Sequence, residues 1–110
     1  MSTKSFPLTL EELRRVADEH GTPFHIYDEQ GIHDGVKRLQ NAFAWNKNFF
    51  EYFAVKATPN PWIMDSLKSI NVGADCSSLA ELALSEAVGL SGDEIVFSSN
   101  ETSDQEFIKA

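Results

Sequence analysis

The chain has 110 residues, 42% of them hydrophobic, which suffices for the core of one ordinary domain if the chain closes on itself. Its formal net charge of −8 argues against nucleic acid or an anionic membrane as partner, since either would be repelled. No apolar run approaches the ~20 residues that span a bilayer, no basic segment and apolar stretch mark a signal peptide, and the single Cys76 fits a reducing cytoplasm.

Taken in chain order, Thr9-Leu10-Glu11-Glu12 has the spacing of a capping box. Leu10, Leu13 and Val16-Ala17 then share a helical face up to Gly21. Pro23 and the alternation of Phe24 and Ile26 predict a short strand ending at Asp28. Ile32, Val36, Leu39 and Phe43 recur at helical spacings, so a second helix is expected from Asp28 or Glu29 to Phe43. The run Phe49-Phe50-Glu51-Tyr52-Phe53-Ala54-Val55-Lys56 is aromatic and β-branched up to its closing lysine apart from Glu51, and it reads as a strand. With a period of two, Tyr52, Ala54 and Lys56 fall on one face, and Phe53 and Val55 on the other. Both faces are largely apolar, which suits a parallel strand covered on each side.

Asn60-Pro61 is a helix start, with Asn as N-cap and Pro at the first helical position, and Ile63, Leu67 and Ile70 form that helix's buried stripe. Val72 to Asp75 reads as a strand, Ser78 to Val88 as a helix stopped by Gly89, and Ile95-Val96-Phe97 as a further strand. Ser103-Asp104-Gln105-Glu106 caps a last helix. From Lys56 onward strands and helices alternate, which implies parallel strands joined by right-handed crossovers. An open doubly wound sheet and the first part of a (β/α)8 barrel both have this order. Neither a Gly-x-Gly-x-x-Gly nor a P-loop follows a strand, so the barrel is preferred.

In such a barrel the working residues sit at the carboxyl ends of the strands. Lys56 ends one strand and Asp75 the next, so both are expected at the same rim. An amine ending an apolar strand usually snorkels to water, and burying it without a partner would be costly. Asp75 either caps a turn or works at the site. Glu81 completes the capping box Ser78-Leu79-Ala80-Glu81, where it would reach back to the amide of Ser78. Ser98, Ser99 and Asn100 are expected to cap the next helix entry rather than to touch a ligand. His20, His25 and His33 are not spaced as metal ligands, and Cys76 is expected to be buried and inert. The Trp45 and Trp62 rings are expected in the core or at an interface.

Four segments carry a resemblance that covers nearly the whole chain. Gly21-Thr22-Pro23-Phe24 leading to Tyr27-Asp28, Val55-Lys56-Ala57, Gly73-Ala74-Asp75 with Glu81 six residues on, and Glu94 to Asn100 stand in the order seen in the fold type III pyridoxal-phosphate decarboxylases, the alanine racemase-like barrel enzymes. Within these, the chain most resembles the N-terminal portion of the diaminopimelate decarboxylases, with Thr58 where many relatives carry Asn. The resemblance implies a PLP-binding (β/α)8 barrel, incomplete in this chain. Residues 29–110 would be its first βα units, and residues 1–28 a helix and strand that pack with a C-terminal β-domain. It implies that Lys56 forms the Schiff base with pyridoxal 5'-phosphate, that Asp75 lies near the lysine and the cofactor ring, and that Glu81 belongs to the surrounding shell. It implies further a cytoplasmic homodimer that takes a small-molecule amino acid and decarboxylates meso-2,6-diaminopimelate to L-lysine in lysine biosynthesis. Ornithine or arginine decarboxylation is the alternative within the fold. A non-catalytic cofactor-binding or regulatory relative is the alternative outside it, since a full barrel takes ~250 residues.

Overall fold

A computed structural model describes residues 6–110; residues 1–5 of the N-terminal unit lie outside the described residues. Helix α1, Leu10–His20, opens with the expected capping box: Thr9 Oγ1 accepts from the Glu12 amide at 3.2 Å while Glu12 Oε2 accepts from the Thr9 amide at 2.8 Å. None of its residues is fully buried. The stretch Phe24–Asp28 forms no strand, although His25 and Tyr27 stack with centroids 6.5 Å apart, as alternate residues on one side of an extended chain can. Alternating apolar residues make such a segment straight, but a strand also needs a ladder, and no neighbouring strand among the described residues offers one. Asp28 instead caps helix α2, Glu29–Ala42, by accepting from the Gly31 amide at 3.0 Å.

The remaining chain alternates as expected. Strand β1 is Glu51–Ala54, helix α3 Pro61–Lys68, strand β2 Val72–Cys76, helix α4 Leu79–Ala87, strand β3 Ile95–Phe97 and helix α5 Asp104–Lys109. The sheet order is β1-β2-β3 and both pairings are parallel. Asn60 caps α3 through its side chain, with Pro61 at the first turn. Gly89 at φ 79° ends α4 in the left-handed region that glycine enters without penalty. The expected strand from Phe49 to Lys56 is shorter: it stops at Ala54, and Val55–Ala57 form a 3-10 turn.

Alternation along β2 sorts the two faces. Val72, Ala74 and Cys76 are buried against helices: Ala74 and Cys76 cluster with Val55, Met64, Leu82 and Leu90, and Val72 with Val36, Ile63 and Leu67. Burying each of the larger aliphatic side chains contributes about 1.5–3 kcal/mol. A polar tie joins α2 to α3: Ser66 Oγ donates to Glu29 Oε1 at 2.8 Å, and His33 Nε2 lies 2.8 Å from the same hydroxyl. The opposite face carries the register row Ala54–Asp75–Val96 and the pair Tyr52–Gly73. No helix among the described residues covers that face, so β1 is covered on one side rather than both, and Val96 remains 39% exposed.

The resulting shape is open. The radius of gyration is 16.9 Å, against the ~13 Å of a compact domain this long. Trp45 and Trp62 stand 79% and 82% exposed, so neither ring is in the core. No helix among the described residues is long and apolar enough to cross a membrane.

Candidate functional site at the carboxyl rim of the sheet

Where β1 ends, the 3-10 turn carries Lys56 out of the pleat while the buried Val55 anchors the turn in the core. Lys56 is exposed and lines a cavity of about 640 Å³ with Ser77, Phe97, Ser98, Ser99 and Asn100 among its walls. Among the described residues, no carboxylate lies within ion-pairing distance of its Nζ. This is the rim at which the sequence pattern places the lysine, and the parallel sheet brings β2 and β3 to the same edge.

Asp75 reaches that rim from β2, two register positions before the lysine, since Ala54 is its partner on β1. Its Oδ1 accepts from Ser98 Oγ at 2.5 Å, across to the end of β3. The carboxylate therefore caps no turn of its own; a hydroxyl from the neighbouring strand aims it. Ser98 is also held by its backbone, whose amide donates to the Cys76 carbonyl at 2.8 Å. Helix-entry capping, expected of Ser98 to Asn100, falls elsewhere. Ser99 Oγ takes the Glu101 amide at 3.3 Å, and the cap of α5 is Ser103. The Asp75–Ser98 bond escaped the sequence reading because it links positions 23 apart; the only signal was that both end strands.

Glu81 sits at the third position of α4 and faces its N-terminus. Its carboxylate accepts from the Ser77 amide at 2.9 Å and from Ser78 Oγ at 3.0 Å, while Ser78 Oγ accepts from the Glu81 amide at 3.3 Å. Capping is thus real but displaced by one residue, from the Ser78 amide to that of Ser77. Because Ser77 lines the lysine cavity, Glu81 fixes a wall of the site without entering it. Cys76 points the other way, 3.2 Å from Ser85 Oγ in the core. Burial pushes its thiol above the ordinary range; the Ser85 hydrogen bond opposes this, and the charges of Glu81 and Asp75 add to it. A thiol so placed stays protonated and unreactive.

On the same face, Tyr52 and Phe50 fold over Gly73 with their rings 4.9 Å apart, and the Tyr52 hydroxyl donates to the Asp93 carbonyl at 2.7 Å. A Cβ on Gly73 would lie 2.8 Å from both Phe50 Cε1 and Tyr52 Cδ1 and would collide with the Glu94 carbonyl. Glycine is there for close approach, not for a turn.

An accessible amine at the carboxyl end of a parallel strand, with hydroxyls beside it and an aimed carboxylate next to them, suits capture of a carbonyl compound. Among the described residues, Lys56 is the only cationic side chain lining that cavity, so these residues fit the aldehyde end of a cofactor rather than its phosphate. Comparison with known proteins agrees with this class of site. Residues 29–110 match the family described as pyridoxal-dependent decarboxylase, pyridoxal binding domain. The chain belongs to that family.

Among its relatives, Protein TabA of Pseudomonas amygdali pv. tabaci is 48% identical over 102 residues, which is 93% of this chain and 23% of that protein. Diaminopimelate decarboxylase of Deinococcus radiodurans is 32% identical over 103 residues, 94% of this chain and 26% of the relative. The Methanothermobacter thermautotrophicus enzyme of the same name is 33% identical over 92 residues, 83% of this chain and 22% of the relative. The chain spans about a quarter of the length of the curated relatives it matches. The sheet and the family match together make it the N-terminal part of a fold type III barrel domain.

Proposed function

We propose that this chain forms the lysine-bearing part of a cytoplasmic, homodimeric pyridoxal-phosphate decarboxylase that converts meso-2,6-diaminopimelate to L-lysine and CO2. The observation that carries the reading is the placement of Lys56 at the strand-end cavity, one strand away from the Asp75–Ser98 pair. Lys56 Nζ would hold the cofactor's aldehyde carbon. When bound, the cofactor supplies an electron sink for the pair left behind as CO2 departs. Once the substrate amine replaces it, the Lys56 amine is free to move a proton at the substrate's α-carbon. Asp75, aimed by Ser98, would present its carboxylate at the same rim, while Glu81 would act at one remove by holding Ser77.

Diaminopimelate is preferred because two of the three relatives above bear that enzyme's name. The relative at 48% identity bears another name, so ornithine and arginine, the alternatives within the fold, are tested beside it. The test is CO2 release by the polypeptide with a complete barrel, loaded with pyridoxal phosphate and offered each of the three amino acids. Release from meso-2,6-diaminopimelate well above the other two is expected. Preference for ornithine or arginine would overturn the substrate, and release from none would overturn the decarboxylase reading.

A further inference from the structure

Ser98, expected at a helix entry, caps none: α5 is capped by Ser103, and the turn before it by Ser99. Its side chain has another tie. Ser98 Oγ donates its one hydrogen to Asp75 Oδ1 at 2.5 Å, the length of a charge-assisted bond. Its backbone amide donates to the Cys76 carbonyl at 2.8 Å, so backbone and side chain are both fixed to β2. A hydroxyl whose hydrogen is committed in this way can only accept from a further neighbour.

The lysine cavity supplies that neighbour. Ser98 lines it together with Lys56, whereas Asp75 is not among its walls. Among the described residues, Lys56 is the only cationic side chain there, and its Nζ has no carboxylate within ion-pairing distance. An amine on a long flexible stem must be held if it is to attack reproducibly. A carboxylate in contact would hold it, but would also favour an ammonium, which has no lone pair for an aldehyde. A hydroxyl oxygen holds an amine with less of that penalty, and a carboxylate behind the hydroxyl strengthens it as an acceptor.

We infer that Ser98 is a positioning residue for the Lys56 amine, and that Asp75 acts on Lys56 through the Ser98 hydroxyl rather than through a direct ion pair. During cofactor capture one N–H of Lys56 is donated to Ser98 Oγ, which leaves the nitrogen's lone pair for the aldehyde carbon. The nitrogen bonds that carbon, and the aldehyde oxygen leaves as water with both of the amine's hydrogens. The inference rests on Lys56 being the cofactor lysine and adds the residue that orients it.

The test uses the polypeptide with a complete barrel, freed of cofactor, and follows the rate of pyridoxal phosphate capture by visible absorbance. Pyridoxine phosphate, with an alcohol in place of the aldehyde, measures binding without capture. The wild type is expected to carry the label on Lys56 after borohydride reduction. Ser98→Ala is expected to slow capture about tenfold while binding pyridoxine phosphate as the wild type does. Ser98→Thr, which keeps the hydroxyl, is expected to stay within about threefold of the wild-type rate. Because the two residues act through one bond, adding Asp75→Asn to Ser98→Ala is expected to slow capture no further. Four results would each overturn the inference while leaving Lys56 as the cofactor lysine: a wild-type rate in Ser98→Ala, equal losses in Ser98→Ala and Ser98→Thr, pyridoxine phosphate binding that weakens in step with capture, or a further loss in the double variant. A wild-type label elsewhere than Lys56 would overturn both.

Discussion

Lys56, Asp75, Glu81 and Glu51 each show how a charged side chain is placed by its neighbours. Asp75→Asn keeps an oxygen for the Ser98 hydroxyl while removing the charge, so in the complete enzyme it is expected to lower turnover about tenfold or more and to leave the melting temperature nearly unchanged. Glu81→Gln loses one acceptor at the Ser77 amide or the Ser78 hydroxyl and is expected to cost about 1 kcal/mol with little change in turnover. The reverse pattern in parallel assays of rate and unfolding would exchange the two roles. Glu51 gives a pH dependence of definite sign. Because burial raises its folded-state pKa above the reference value of 4.5, the folded state binds the proton more tightly than the unfolded chain. Its contribution is fully present below about that pH and declines as pH rises through the folded value. Denaturation midpoints measured from about pH 4 to pH 7 should fall more for the wild type than for Glu51→Gln. The lysine, the aspartate and the capping glutamate were legible in the sequence because position along a strand or helix fixes them. The partners of Asp75 and the buried Oε2 of Glu51, unpaired among the described residues, were not, since both depend on contacts between strands and helices far apart in the chain.

At the scale of elements, helices were the most legible feature, because their signals are local. Thr9 with Glu12, Asn60 with Pro61, Ser78 with Gly89, and Ser103 with Glu106 mark ends that the structure reproduces within a residue or so. Strands were less so. The apolar run through Lys56 continues past the point where the ladder stops, since backbone pairing with β2 ends at Ala54. Phe24–Asp28 has the alternation of a strand without a partner to complete it. The caps themselves give a measurable expectation: Ser78→Ala removes the acceptor for the Glu81 amide and a donor to its carboxylate, and should cost about 1 kcal/mol in urea unfolding. Gly73→Ala forces Phe50, Tyr52 and the Glu94 carbonyl apart and should cost about 1–3 kcal/mol, with loss of the near-ultraviolet aromatic signal. A Gly73→Ala protein as stable as the wild type would mean that the aromatic cover over β2 is loose.

For the whole molecule, the sheet's two faces are unequal. Helices seal one, while Ala54, Asp75 and Val96 lie in a row on the other with no helix over them. Helix α1, with no buried residue, is as unsealed as the sheet. The isolated 110-residue chain is therefore expected to associate in sedimentation analysis and to release no CO2 from diaminopimelate, ornithine or arginine. A protected, active monomer would contradict the open-barrel account. The central claim, that Lys56 is the cofactor lysine, is tested most directly by covalent capture. The polypeptide with a complete barrel is incubated with pyridoxal phosphate, reduced with borohydride, digested and mapped by mass spectrometry. The account predicts the pyridoxyl label on Lys56 and its loss in a folded Lys56→Arg variant; a label on Lys47, Lys68 or Lys109, or one that survives Lys56→Arg, would contradict it.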